Sequence, residues 1–595
     1  MSSKYGTIIV GGGVAGLIAA ARLSEDGTKR IIVIEAGTDR RGDPLIDTRG
    51  LLISTWGNTD YDWDFWTTPQ DSLSGRQLPQ PRGRVLGARK SWLDVSRSCT
   101  YYKKSTKFFP PSVETSELLG LNTYYQPELY GNDGPISQSI ADGFGKFDTA
   151  FIGALDSTGL SKKSDPILGM QHGHFMPTTS VDPISHKRSY AAEAYYTSMV
   201  EGRENVDLRV EAHVDKLMLR DSGMNNDLVE AEGVVVINSD GSTEYIYGNN
   251  VILAAGTLQT PLVLERSGIG RQDVLAKLGI EVVLESPGVG ENLQDHVYAS
   301  LSMEVADGLT TRDAARDPEV VAALVKEYNE RQSGPLANVP LNYAVLPPVD
   351  GSGCISPFEL ETLVTAYGEL DDTLTPGIKA QQSELNDMLL DKRICAVYLG
   401  ALAGQSVINP KGKTSMIDAH SPQRPENFLT VSIGLNHPMS RGSVHIGGKD
   451  AEPVAGTNGP IIDPAYLSHA LDQELLARGL QFVQSLTLSD APKKVLKPNG
   501  VLLPSIAADL SDLAVAKRVC RERAWSNYHP VGTCAMMPRE LGGVVSDRLL
   551  PYGTSNVRVI DASVFPMIPM GNIQATVYAV AEKACDLIKE DWAEY

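Results

Sequence analysis

The chain opens on a short apolar run, Thr7-Ile8-Ile9-Val10, with no polar alternation. Such a run fits a strand covered on both faces. From Val14 the period changes: Leu17, Ile18, Ala21 and Leu23 recur at helical spacing, and Gly27 stops the pattern. Ile31-Ile32-Val33-Ile34 reads as a second buried strand. Residues 7–35 are therefore predicted to be one β-α-β unit. Val251-Ile252-Leu253-Ala254-Ala255 is a further strand of the same apolar kind, and a last helix is predicted from Gly571–Thr576 to about Ile588. Between them, Asp307–Pro348 is rich in charged helix formers and ends in Pro-rich loops. Gly351–Gln382 is polar and punctuated by Pro and Gly, as a surface insertion would be. No internal repeat or low-complexity tract stands out.

The first strand-to-helix turn carries the clearest chemistry. Gly11-Gly12-Gly13-Val14-Ala15-Gly16 matches GxGxxG, and Glu35 ends the second strand 19 positions beyond Gly16. Gly11 permits the tight turn, Gly13 lets the backbone approach a pyrophosphate, and Gly16 lets the helix pack closely. The helix N-terminus offers unpaired N–H groups to phosphate. Glu35 can accept from both hydroxyls of an unphosphorylated adenosine ribose. The unit predicts dinucleotide binding, with FAD and NAD both open on the motif alone; the following Ala36-Gly37 leans toward FAD.

Composition narrows the classes. The 595 residues are 42% hydrophobic and 21% charged, ordinary for a globular protein with a sizeable core. A net charge of -20 repels phosphate backbones, so nucleic acid is not an expected partner. No apolar run is long enough to span a bilayer. The start, Met1-Ser-Ser-Lys-Tyr, leads into a strand with no signal-peptide h-region ahead of it, and the sequence has no Asn-x-Ser/Thr. The six cysteines, at 99, 354, 395, 520, 534 and 585, form no CxxC pair, which argues against a metal site or a disulfide framework. The expected setting is cytoplasmic, with no membrane partner. GxSxG, HExxH and P-loop patterns are missing, which removes the usual support for hydrolase, zincin and NTP-binding readings.

Several longer segments resemble the glucose-methanol-choline (GMC) oxidoreductases. The stretch from Gly256 through Gln259, Thr260 and Pro261 to Ser267-Gly268-Ile269-Gly270 resembles the second signature of that family. Pro287-Gly288-Val289-Gly290-Glu291-Asn292-Leu293-Gln294-Asp295-His296 resembles the next block, where His296 is read as structural. Asn527-Tyr528-His529-Pro530-Val531-Gly532-Thr533-Cys534 resembles the catalytic-histidine block. Val557–Pro566 resembles the strand and turn that meet the flavin, and the last helix resembles the one aimed at its pyrimidine end. The likeness runs from residue 5 to about 590 and includes Pro438-Met439-Ser440-Arg441-Gly442 and Asp463-Pro464-Ala465-Tyr466-Leu467.

The resemblance implies an α/β chain, α+β overall, with two domains. A Rossmann-like FAD-binding domain would span 1–300, completed by 520–595; a substrate-binding domain with an antiparallel sheet would span 301–519. It implies non-covalent FAD, a small-molecule substrate and an electron acceptor, O2 or another. The cofactor-binding residues it implies are Gly11, Gly13, Val14, Ala15, Gly16, Glu35, Ala36, Val85, Val214, Ala255, Gly256, Tyr528, Asp561, Ala562, Ile573 and Thr576. His529 is the implied base for alcohol oxidation, since an imidazole of pKa ~6.5 is largely neutral near pH 7. Asn572 would bond the substrate oxygen. Cys534 is read as packing. The sequence departs from the family after Gly83-Arg84-Val85-Leu86-Gly87, where a long stretch with a Gly- and Ser-rich turn and a Trp-bearing loop is shortened to Ala88–Cys99. No histidine for a covalent flavin link stands there, and the flavin is expected to be more exposed or more weakly held. An alcohol oxidase or dehydrogenase with a role in specialised metabolism is the leading reading. Acid/base chemistry like that of hydroxynitrile lyases, with structural FAD, and flavin binding without catalysis are the alternatives.

Overall fold

The computed structural model describes residues 4–593 apart from 88–99, 161–164, 166, 168–172, 222–227, 338–341, 347–354, 369–373, 392–395 and 450–458. The altered stretch after Gly87 thus lies outside the described residues. The predicted β-α-β unit forms as β1 (Tyr5–Val10), α1 (Val14–Leu23) and β2 (Ile31–Ile34). β1 starts ahead of the apolar run because Tyr5 already pairs with Gly248 in the ladder. Every residue of α1 except Arg22 is buried, since the helix is covered by other elements as well as by the sheet.

The remaining strands of the two large sheets are, along the chain, β3 (Gly173–Phe175), β4 (Val206–Arg209), β5 (Ala212–Asp221), β6 (Val229–Asn238), β7 (Thr243–Leu253), β8 (Val297–Glu304), β9 (Asn342–Leu346), β10 (Val397–Leu402), β11 (Phe428–Leu435), β12 (Leu502–Leu503), β13 (Trp525–Ser526) and β14 (Val557–Val559). The helices that matter below are α2 (Thr260–Arg266), α3 (Ala470–Thr487) and α4 (Gln574–Ala593).

The first sheet has the order β4-β2-β1-β7-β6-β5, with β14 beside β7. β4, β2, β1, β7 and β14 run parallel. β5, β6 and the first half of β7 form an antiparallel meander that continues the sheet. Val10 pairs with Ile34 on one side and Leu253 on the other. Three carboxyl ends of parallel strands therefore lie abreast, where ligands of open α/β sheets bind.

The second sheet has the order β12-β8-β11-β10-β9-β3, with β13 beside β8, and all its pairs are antiparallel. Leu475, Leu476, Leu480 and Val483 of α3 share a core with Val431 and Ile433 of β11. The chain interleaves the two sheets. β3 comes before β4 in the chain yet pairs in the second sheet, and β13 comes after α3 yet pairs with β8. α4 runs on to Ala593, past the expected stop near Ile588. Asp591 there pairs with Arg548 and Arg558, which gives the last turn a charged partner. Glu582, fully buried on the same helix, receives Arg22 of α1, Lys104 and the Tyr195 hydroxyl. These bonds tie the C-terminal helix to the β-α-β unit.

A second ion cluster joins α2 to the strand Ser443–His445. His445 Nδ1 lies 2.6 Å from Glu265 Oε1, and its Nε2 lies 3.3 Å from Glu291 Oε1. Both ring nitrogens face carboxylates, so both donate and the ring is cationic. Burial disfavours that charge, but the bonds to Glu265 and Glu291 outweigh it and hold the pKa up at about 9. Unfolded, the ring titrates near ~6.5. The cluster therefore contributes stability that is complete below about 6.5 and lost as pH rises through about 9. Thermal unfolding followed across that window is expected to show a steeper decline for the native chain than for His445→Gln. Parallel curves would contradict the assignment.

Candidate active site

A cleft opens at the carboxyl ends of β1, β2 and β7. It encloses about 1060 Å³ of space, part of it continuous with solvent. Its floor is the glycine turn: Gly11, Gly13, Val14 and Ala15 line it, and Glu35 with Ala36 closes one end. Gly11 has φ +100, a left-handed conformation that only glycine adopts without strain. A Cβ on Gly16 would lie 1.9 Å from the Gly11 carbonyl oxygen, so that glycine serves the turn itself and does not line the cleft. Val85, Val214, Ala255, Gly256 and Asp561 form further wall.

Two features fit this cleft for an anionic ligand. α1 has no side-chain N-cap bond and no acidic residue in its first turn, so its terminal N–H groups face the cleft without a competing side-chain acceptor. A Cβ placed on Gly13 or Gly256 would meet no protein atom within 4 Å, which leaves room beside the backbone. Glu35 is buried, which pushes its carboxyl pKa up, while the N–H groups of Gly37 and Gly12 each donate to one of its oxygens at 2.7 Å. Each oxygen keeps a second lone pair for a hydroxyl donor.

One wall was not legible as a site. Trp63 and Phe65 line the cleft with their rings stacked at 5.6 Å and 7°. Their i, i+2 spacing puts both on one face of an extended segment, and this spacing was the available signal. His213 meets Trp63 edge-on at 5.8 Å, and burial together with Arg266 and Arg84 depresses its pKa to about 3. Arg82 also lines the cleft.

The C-terminal candidates sit apart from this lining. Asp561 is the exception, and its carboxylate also organises the turn: Oδ2 accepts from Gly256 N–H and Thr260 Oγ1, and Oδ1 from Ser563 N–H. The Ala562 carbonyl accepts from Gly532, the Ile573 carbonyl from Val577, and Thr576 Oγ1 lies 2.9 Å from the Tyr102 hydroxyl. Tyr528 adopts a left-handed φ of 63, and its hydroxyl accepts from Trp525 Nε1. Such a conformation costs of order ~1–3 kcal/mol for a non-glycine residue and persists only where neighbours hold it.

His529 follows directly and is 2% exposed. Its backbone N–H donates to Asp295 Oδ1 at 2.7 Å. Asp295 Oδ2 accepts from Ser526 Oγ and the Tyr466 hydroxyl. The two blocks zip together beyond that: Gln294 and Val531 exchange both backbone bonds, and Asn527 N–H donates to the His296 carbonyl. His296 Nδ1 lies 2.9 Å from His529 Nδ1, and its Nε2 lies 3.0 Å from the Asn436 carbonyl oxygen. Asn436 in turn accepts from Gly571 N–H through its side chain. A continuous chain of bonds thus runs from His529 to the residue before Asn572, which is itself buried.

Comparison with known proteins places this architecture. Residues 148–298 and 438–581 match the two GMC oxidoreductase family models, and residues 6–74 match the FAD binding domain. "Dehydrogenase mpl7" of Monascus purpureus is 30% identical over 641 residues, covering 99% of this chain and 97% of that protein. The chain belongs to the GMC oxidoreductase family. "Glucose methanol choline oxidoreductase atC" of Aspergillus terreus is 28% identical, covering 99% of this chain and 92% of its own length. Among solved structures, an FAD-dependent oxidoreductase from Chaetomium thermophilum, in complex with a butanamide fragment, superposes with a TM-score of 0.83. It is 25% identical and covers 99% of this chain and 100% of its own.

This GMC oxidoreductase binds FAD. The cleft fits it: the uncapped N-terminus of α1 suits the pyrophosphate, and the remaining acceptor capacity of Glu35 suits a ribose. Among the described residues no helix is long and apolar enough to cross a membrane, and no group of three or more His, Cys, Asp or Glu side chains could hold a metal ion. Gly13→Ala is expected to fold normally, because its Cβ meets open space at φ -78, yet to lose at least tenfold in FAD affinity. Titration of the apoprotein with FAD, alongside its circular dichroism, checks this. Undiminished affinity would remove Gly13 from the cofactor site.

Proposed function

We propose that this oxidoreductase oxidises a small or medium organic alcohol to the carbonyl compound, with His529 as the base. The observation that carries the reading is the imidazole of His529: buried, fixed at its backbone by Asp295 and at its ring by His296. The carbinol hydroxyl gives its proton to the ring. Asn572 is the proposed partner of the substrate oxygen, since its side-chain amide can donate to that oxygen but is no base. When bound, FAD supplies the acceptor for the hydride that leaves the carbinol carbon, and O2 or another acceptor later takes the electrons. The buried setting keeps bulk water from competing for the hydroxyl proton.

The remaining cofactor contacts belong to the same proposal. Val14, Ala15, Ala36, Val85, Val214 and Ala255 would meet the adenosine and diphosphate half, because they line the cleft. Tyr528, Ile573 and Thr576 would border the ring system because they lie next to or close after His529 and Asn572 in the chain, and Ala562 because its carbonyl accepts from Gly532, three residues beyond His529. The FAD is held without a covalent bond in this reading, so acid denaturation should release it to the supernatant.

The test is His529→Ala. A positioned general base contributes ~10²–10⁴-fold. The variant should retain its FAD and lose about that factor in the rate of anaerobic flavin reduction by a turned-over alcohol. An unchanged rate would dismiss His529 as the base.

A further inference from the structure

We infer that His296 is a positioning residue that selects the tautomer of His529, so that the neutral ring carries its proton on Nδ1 and its lone pair on Nε2. The inference rests on the reading of His529 as the base and deepens it.

Asn436 presents a backbone carbonyl oxygen to His296 Nε2 at 3.0 Å, and a carbonyl oxygen only accepts. His296 Nε2 therefore carries a proton. The ring is fully buried, and that burial, with His437 nearby, outweighs the backbone carbonyls of Asn436 and Pro569 and depresses its pKa to about 3. It is neutral at working pH, so its Nδ1 holds a lone pair. The atom facing that lone pair at 2.9 Å is His529 Nδ1, which must then donate. The rings stand at 88° to one another, with centroids 5.1 Å apart. In neutral His529 the lone pair then sits on Nε2, the nitrogen that would take the hydroxyl proton.

The same bond serves both charge states. When Nε2 takes the hydroxyl proton, Nδ1 still donates to His296, so the ring need not turn during the reaction. The groups that face the pair are consistent with His296 staying neutral. Tyr398 packs edge-on at 5.9 Å, and burial pushes its hydroxyl pKa up. His437 bonds to the Ile568 carbonyl, and burial lowers its pKa to about 4. Asp295 beside the pair accepts from the backbone N–H of His529 at one oxygen and from Ser526 and Tyr466 at the other. Burial also raises the pKa of Tyr298 and Tyr528, so neither adds an anion there.

Two variants and one spectrum test the inference. In His296→Gln the amide oxygen can accept from Nδ1 while the amide nitrogen donates to Asn436. In His296→Leu neither bond survives. The rate of flavin reduction in the holoenzyme is expected to fall about 10²-fold or more in the Leu variant, within the ~10²–10⁴ that a positioned base supplies. The Gln variant should recover most of it, with little change in KM for either. Selective ¹⁵N-histidine spectra of the native holoenzyme should show neutral His529 protonated at Nδ1, with His529→Ala providing the assignment. His529 protonated at Nε2 in the native protein would overturn the inference. Equal losses in the Gln and Leu variants, or a loss in neither, would also overturn it. If His529→Ala itself turns over normally, the base assignment fails, but the spectrum still decides the tautomer. The spectrum also decides it if the Leu variant does not fold.

Discussion

A carboxylate buried at the junction of two sequence blocks holds the reactive part of this molecule together. Asp295 is fully enclosed, and burial pushes its pKa up against the bonds it receives from Ser526, Tyr466 and the backbone of His529. A buried carboxylate is tolerated when donors occupy its oxygens. Here the donors come from two separate segments, residue 466 and residues 526–529, and β8 pairs with β13 alongside them. The interaction therefore fixes the loop that bears His529 to the edge of the antiparallel sheet. It also sets the left-handed Tyr528 next to the histidine, since Tyr528 N–H donates to the same Ser526 hydroxyl that binds Asp295.

The cofactor cleft depends on a different principle. Its shape comes from three parallel strands ending at the same level and from a turn in which Gly11 supplies a left-handed residue and Gly16 removes a Cβ. The helix that follows is buried nearly all round and is tied through Arg22 to Glu582 of the C-terminal helix. The last segment of the chain thus braces the first, and a discontinuous dinucleotide unit follows from that brace.

Much of this was legible in the sequence, because short unbroken apolar runs and a glycine pattern have few structural solutions. Ile31–Ile34 and Val251–Leu253 appear in the sheet where their composition put them. The length of α4 was less legible, because its last turn is stabilised by Arg548 and Arg558 from elsewhere in the chain. Trp63 and Phe65 were missed as cleft residues for a related reason: their segment has only a two-residue strand, and its neighbours come from Pro79-Gln80 and from His213. His296 was legible as a residue that holds structure. That it touches His529 depends on the pairing of β8 with β13, and such pairing between segments more than two hundred positions apart leaves no local trace.

The central claim is that this chain moves a hydride from an alcohol carbon in a step that needs its buried imidazole. The most direct measurement is anaerobic bleaching of the bound flavin by an alcohol that the protein turns over, compared with the same alcohol deuterated at the carbinol carbon. The account predicts bleaching with a primary isotope effect of several-fold. Consumption of the substrate while the flavin stays oxidised would contradict it and would favour acid/base chemistry on the same scaffold.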